Sequence, residues 1–567
     1  MRTQEISLRR VLKQDGATLT GGDMKPGPLL LRATLVAALL MLGTPGSADE
    51  KGHERQVGHE GHARLGTVQF RTECNAEAQR QFNTAMAYYH SFAWDHIREP
   101  VDGVLKSDPA CGMAHWVRAL ASLDNPFTWP GGISPAALAQ GAETLETARR
   151  AGLKSPRERD YVDALDVFFR DHDKLDHRTR AKALETALEQ VMKRYPDDSE
   201  AATLYALILS ANFDPLDKKY TNQLKAAAIL EPVFKQQPDH PGVAHYLIHS
   251  YDYPPIARHG LEAAKRYGEI APDAPHALHM PSHIFTRVGA WQDSVRVNRA
   301  SASAGSDKTF DKWHAYDYLV YAHLQLGEDA AARKVTVEAL GNPARVDHFA
   351  TAYAYAAMPA RLAVERGDWK AAAKLDVAPA GDFPWAKYPH AESINAYARG
   401  LGAAMIGDAA AARTELGRLE KLRDVTASRK LGYWVNEIDV QTGVVQGMAL
   451  CAEGKRDECL AAIRIAADRE DASEKHVVTP GRLVPAREVL AFATLDGGDA
   501  GTALQEFERV LEREPNRLAA YAGAADAAER AGDREKAVEY SAKVLALTKT
   551  SDTPIAELSQ AKRLLGR

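Results

Sequence analysis

Positions 491, 503 and 510 of this 567-residue chain hold Ala, Ala and Val, and positions 525, 537 and 544 hold the same three residues in the same order, 34 further on. A recurrence at that period is the mark of a helix–turn–helix unit that stacks on its neighbours, because one unit alone cannot cover its own apolar face. Small residues at two fixed places let the two helices of a unit approach closely. Phe507 has Ser541 as its counterpart, and Pro515 closes the first of the two units. The expected class is therefore all-α, a linear stack of antiparallel helix pairs. A chain this long exceeds one ordinary globular core, which a stack accommodates.

The rest of the chain carries the same punctuation. From Cys74, two amphipathic helices break near Ser91–Trp94 and end at Asp108-Pro109, and Pro196 closes a later unit. The insertion FTWPGGISP, residues 127–135, interrupts the period. Counting Pro241 as position 1 of a unit puts Tyr251 at position 11 and Pro272 at position 32, and the next unit starts at Pro275 with Phe285 at position 11. A third unit follows the longer loop ASAGSDKT. The expected division is 1–48 as extension plus signal peptide, 49–69 as a flexible polar segment, and 70–345 and 346–470 as helical repeats. A polar link at 471–485 then precedes two C-terminal units at 486–550 and a helical tail at 551–567.

Hydrophobic residues make up 45% and charged residues 26%, a folded rather than a disordered composition. A net charge of -5 gives no electrostatic case for nucleic acid. Near the N-terminus, Lys25 and Arg32 precede the apolar run ATLVAALLMLG, with small residues at Gly46-Ser47-Ala48. That is the layout of a secretory signal, with an apolar run too short to span a bilayer. Met24 suits the start of such a signal, and Arg9-Arg10 lies too far upstream for a twin-arginine motif. The expectation is export to the bacterial periplasm with no membrane span left after cleavage. In an oxidising compartment, Cys74 with Cys111 and Cys451 with Cys459 are the expected disulfides, with four free core thiols as the alternative. His53, His59 and His62 read as a solvated tail, with loose metal binding as the alternative.

The chemistry concentrates between residues 245 and 283. His245/His249 and His279/His283 are two His-x-x-x-His pairs, each member of the second lying 34 residues after its counterpart. A spacing of four sets both imidazoles on one helix face. Helices of adjacent units pack about 8–10 Å apart, so imidazoles from both can reach a shared ion at about 2.0–2.1 Å. Imidazole donors suit Zn²⁺, Cu²⁺ or Ni²⁺ better than Mg²⁺ or Ca²⁺. The three residues after His245 are Tyr-Leu-Ile, so the general base of a His-Glu-x-x-His motif is missing and no catalytic residue is assigned. Met280-Pro281 distorts the helix between the second pair. Packing of the histidines in helix seams is the competing account. Elsewhere, Trp116, Trp129, Trp291 and Trp313 read as seam fillers, and Arg157–Asp160 as a helix start with a solvated face, capped by Ser155 and Glu158.

The segments DPACGMAHW, SPRERDYVDAL, RYPDDSEAATLYAL, HYLIHSYD, HALHMPSHIFTRVGAW and PNRLAAYAGAADAAERAGD resemble tetratricopeptide-repeat proteins over most of residues 70–550. More narrowly, they resemble a group of exported bacterial repeat proteins with a HALHMPSHIF-type motif. Ile97 and the off-period stretch 110–180 depart from that pattern. The resemblance implies an α-solenoid that binds a protein or peptide in a groove lined by positions 2, 5, 9 and 12 of each first helix. His245, His249 and Asp252 take such positions in one unit and His276, His279 and His283 in the next. His314, Asp317 and Tyr321 take them in the third. Asp252 or Asp317 would then accept the outward N–H of a metal-bound imidazole. The expected function is an exported scaffold that binds a protein or peptide in its groove; the alternative is a metal-binding protein, with Zn or Cu, whose use extends to hydrolysis.

Overall fold

Helices begin in this chain where a side chain can satisfy the first free N–H groups. Ser155 accepts from the Glu158 amide in a complete capping box with Pro156 at the first helical position, as its sequence predicts. Asp176, Asp198, Asp408, Asp499 and Asp533 each cap another helix with a carboxylate, which also suits the positive end of the helix dipole. Prolines open the helices Pro241–Tyr251, Pro275–His279 and Pro389–Met405.

The computed structural model describes residues 63–129 and 133–566. The signal-like run, Arg9-Arg10, Met24, His53, His59, His62 and the Pro-Gly-Gly of the insertion lie outside the described residues. Among the described residues all regular structure is helical, a tetratricopeptide-like stack of antiparallel helix pairs. One apolar core runs from Leu65 to Val297 and a second from Ala302 to Ala493, with small clusters around the last two units. Trp116, Trp291 and Trp313 are buried in the seams, while Trp129 is half-buried. No helix of the described residues is long and apolar enough to cross a membrane.

Two disulfides are closed. Cys74 joins Cys111 with Cα atoms 5.3 Å apart, and Cys451 joins Cys459 at 5.2 Å. The first ties the entry of helix Ala76–His90 to the entry of Gly112–Ala121, which anchors the helix that carries His90.

Three segments behave differently from their sequence. Residues 64–69 end the segment expected to be flexible, yet Leu65 and Val68 are buried and Arg64 pairs with Asp273 at 2.9 Å. The charge run after Ser155 is a solvated face only in part: Arg159 is exposed, but Glu158 is buried and accepts from the Glu73 and Lys154 amides, and Arg157 reaches Asp198 at 2.6 Å. The third difference is the largest. The stretch 472–485 holds no helix, as a link should not, but it is a buried strap. Glu474, Lys475, Val478, Thr479, Leu483 and Val484 are all covered. Tyr318 donates to the carbonyls of Val477 and Thr479, and Arg361 donates to those of Gly481 and Arg482. An irregular segment can lie inside a protein only when its backbone groups find such partners.

Candidate metal centre

Four helices present histidine to one buried region. Helix Pro241–Tyr251 carries His245 and His249. The next unit's first helix is split at Met280 by Pro281 into Pro275–His279 and Pro281–Arg287, so His276 and His279 leave one piece and His283 the other. Helix Asp311–Gln325 carries His314. All six imidazoles are buried, His276 being the most open at 7% exposure.

Their ring nitrogens fall into two sets of three. His245, His249 and His276 bring one nitrogen each to within 4.8 Å of one another, and so do His279, His283 and His314. The two sequence pairs therefore do not meet as one four-histidine set. Each acquires a third member instead, His276 or His314, which the sequence placed only as groove-lining. His276 and His279 leave the same short piece but join different sets: His276 faces His245 of the preceding unit, while His279 meets His283 across the break and His314 of the next helix.

The outer hydrogen bonds fix which nitrogen faces inward. His279 Nδ1 donates to Asn298 Oδ1 at 2.6 Å, and Asn298 is itself oriented by its amide N–H to Ser294 O at 2.8 Å. His283 Nδ1 donates to Asp252 Oδ2 at 2.9 Å. His245 Nδ1 donates to the backbone carbonyl of His90 at 2.7 Å. In each neutral ring the remaining nitrogen, Nε2, is then a bare lone pair. His279 Nε2 and His283 Nε2 face each other at 3.1 Å, two acceptors with no proton to share. His245 Nε2 and His276 Nε2 are 3.3 Å apart. Two nitrogens on one tetrahedral ion at about 2.0–2.1 Å lie about 3.3–3.4 Å from each other, so both spacings fit a common cation. Both nitrogens of His249 and Nδ1 of His314 have no hydrogen-bond partner among the described residues. Buried polar atoms are normally paired, and orphans of this kind call for an explanation.

Burial pushes all six imidazoles below their usual range, and for most of them the neighbouring histidines push in the same direction. For His283 the bond to Asp252 opposes that shift. Neutral imidazole is the form that binds metal. Burial alone would raise the Asp252 carboxyl, but Lys475, Arg287 and His283 hold it well below the carboxylate range. Arg287 donates to Asp252 Oδ1 at 2.8 Å, and Lys475 of the strap lies 3.4 Å from Oδ2. Burial brings the Lys475 ammonium down to about 8.

Aromatic rings enclose the cluster. Phe127 stacks on His249 with centroids 3.8 Å apart, and Phe92 stacks on His276 at 5.4 Å and meets His245 edge-on at 4.4 Å. Phe92 sits at φ 52°, in the left-handed region that a bulky residue rarely adopts. Such strain costs on the order of 1–3 kcal/mol and clusters at functional sites. Tyr318 lies beside both His279 and His283, its hydroxyl 3.5 Å from His283 Nε2.

The other expected groove residues have different roles. Of the two aspartates that the resemblance put forward, Asp252 accepts from a histidine of the cluster, His283. Asp317 does not: it accepts from Arg361 at 2.8 Å, a buried ion pair from which no histidine takes a bond. Tyr321 packs edge-on against Trp291, beneath the Arg361 guanidinium, and meets Arg517 at 3.3 Å. Tyr318 and Arg361 thus face the strap, a segment of the chain itself.

A third buried group, His90, Glu200 and His240, escaped the sequence because its members lie 40 to 156 residues from their partners. The one local clue was His240 before Pro241, at a helix cap. This group is a closed network rather than a ligand set. His240 Nδ1 accepts from the Val243 amide, so Nε2 donates to Glu200 at 2.9 Å. His90 Nε2 donates to Glu200 at 3.0 Å while Nδ1 accepts from the Tyr246 hydroxyl at 2.9 Å. Every nitrogen has a partner with a proton to give or take. Gly242 makes this possible: a Cβ there would stand 2.4 Å from His90 Nδ1. The network holds the His90 carbonyl that orients His245.

No family model matches the chain, and no curated protein matches it. Among solved structures, it is similar to a monomeric mutant of IFIT1 with Gppp-AAAA, at 12% identity and a TM-score of 0.37, over 76% of this chain and 90% of that one. It is similar to the APC/C hetero-tetramer Cut9–Hcn1 at 10% identity and a TM-score of 0.31, over 86% and 90%. Yeast Tom70 matches at 10% identity and 0.29, over 87% and 90%. Likenesses this loose assign neither a ligand nor a partner.

Proposed function

We propose that this helical-repeat protein binds a transition metal of the Zn or Cu class through His245, His249, His276, His279, His283 and His314. The observation that carries the reading is the pair of inward Nε2 lone pairs on His279 and His283, 3.1 Å apart, with both Nδ1 protons committed elsewhere. Two bare acceptors at that distance repel unless a cation lies between them. The outer shell supports the same reading, since an Asn, an Asp and a backbone carbonyl orient three of the rings from behind, as metal-bound histidines require. Three histidines on an ion leave a position for an exogenous ligand, which at a Zn²⁺ would be an activated water.

A protein or peptide partner in the groove is the alternative that the repeat architecture invites. At Tyr318 and Arg361 such a partner would meet the strap. Export to the periplasm belongs to the same proposal, supported by the signal-like run and by two disulfides among the described residues.

Elemental analysis of the purified protein, beside a His279→Ala/His283→Ala variant, tests the proposal. A tightly held metal in the wild type that falls in the variant is the expected result. Wild-type protein that retains neither zinc nor copper after loading and desalting would overturn it.

A further inference from the structure

The two histidine sets are not independent. The His249 ring lies 5.8 Å from the His283 ring across the boundary, and His276 lies 6.1 Å from His279. Ions held by each set at about 2 Å from its nitrogens are near enough to share one small ligand. Resting on the metal-binding reading above, we infer that the six histidines form a single dinuclear copper centre that takes dioxygen between its two ions.

The donor chemistry selects the metal. All six ligands are neutral imidazoles, and neither set contains a carboxylate or a thiolate. The four cysteines are consumed in the disulfides. That removes the two-histidine, one-carboxylate pattern of non-haem iron and the thiolate pattern of structural zinc. Charge selects the oxidation state. Two carboxylates reach the cluster's rim: Asp252, which already faces Arg287 and Lys475, and Asp311, whose Oδ1 lies 3.9 Å from His276 Nδ1 and whose charged form burial disfavours. The cost of burying charge climbs steeply with its magnitude, so two Zn²⁺ among neutral ligands are far more costly than two Cu⁺. The walls contributed by Phe92, Phe127 and Tyr318 add no compensating charge.

Dioxygen fits that balance. Each Cu⁺ gives one electron, so 2 Cu⁺ + O₂ become 2 Cu²⁺ and a bridging O₂²⁻. The total stays at +2 and no proton moves. The oxidised pair carries its compensating anion with it, which a buried site short of carboxylates cannot otherwise supply.

The test loads the metal-free full-length protein with Cu⁺ under argon, removes the excess, counts copper, and then admits air. Two copper ions per chain are expected, colourless before air. After air, a Cu⁺-specific chelator should find none, while Cu²⁺ spins should account for less than about a tenth of the copper because paired ions couple. His249→Gln and His314→Gln each remove one ligand from one set; a variant that keeps its helical circular dichroism should hold about one copper and, without a second ion to give the other electron, should form no spin-silent pair in air. Two coppers with a full spin count would mean separate sites and overturn the pairing, leaving the metal-binding reading intact. Copper that stays Cu⁺ in air, or is displaced by equimolar zinc, would overturn the copper–dioxygen assignment alone. Protein that binds neither copper nor zinc would overturn both.

Discussion

Replacing Arg361 by Met should release the strap. Arg361 is completely buried and donates to Asp317 at 2.8 and 3.3 Å, to Thr479 Oγ1 at 3.0 Å, and to the carbonyls of Gly481 and Arg482 at 2.8 and 3.1 Å. Met keeps much of the side-chain volume but leaves the Asp317 carboxylate buried and unpaired, at a cost of about 3–5 kcal/mol. The orphaned carbonyl of Arg482 adds about 1–3 kcal/mol, while Gly481 O keeps its bond from Thr479 Oγ1 at 2.6 Å. Because the bonds to 479–482 run only to the strap, the loss should appear as local opening before the stack unfolds. At about 1.4 kcal/mol per factor of ten, amide hydrogen exchange across 474–485 should quicken at least a hundredfold. Exchange by mass spectrometry reads this peptide by peptide, with the last two repeats as an internal reference. The double variant Asp317→Asn/Arg361→Met removes both charges and should recover a large part of the protection, since replacing a buried pair is often near neutral. Exchange in the single variant that stays within tenfold of wild type would refute the account of the strap as held by this pair. So would a double variant as open as the single.

Asn298→Ala removes the acceptor that fixes the His279 tautomer, and metal affinity measured by chelator competition should fall about 10–100-fold; unchanged affinity would mean that Nδ1 is not held in this way. Cys74→Ala/Cys111→Ala opens a loop with a sequence separation of 37 and should cost about 3–4 kcal/mol in urea unfolding of the N-terminal repeats. The Cys451–Cys459 pair, separated by 8, should cost less, and the reverse order would refute the loop-length argument. Glu470 accepts from the Ala486 amide at 2.8 Å, and burial raises its carboxyl from 4.5 to about 7. The folded state therefore binds the extra proton between those values, so this group's contribution is full below about pH 4.5 and fades as pH rises to about 7. Glu470→Gln should flatten the stability profile over that window, and a profile equally steep in the variant would refute the assignment.

The sequence by itself determined the class of fold. A 34-residue recurrence of Ala, Ala and Val, with prolines at unit boundaries and acidic caps at helix starts, is local information. Each unit forms and stacks by contacts close along the chain, so periodicity was enough to read it. The same register brought His245, His249, His279 and His283 to one region, because it fixes the face of each helix. Only the tertiary structure decided how they group. His276 and His279 leave one short helix yet join different sets, because one meets His245 of the preceding unit and the other meets His283 and His314. His276 and His314 became partners for the same reason. The strap was the hardest to foresee. DREDASEKHVVTPGRLVP is polar because its charges and carbonyls pair across more than a hundred residues with Asp252, Tyr318 and Arg361. A buried polar segment with distant partners has the composition of an exposed one, and only the partners tell them apart.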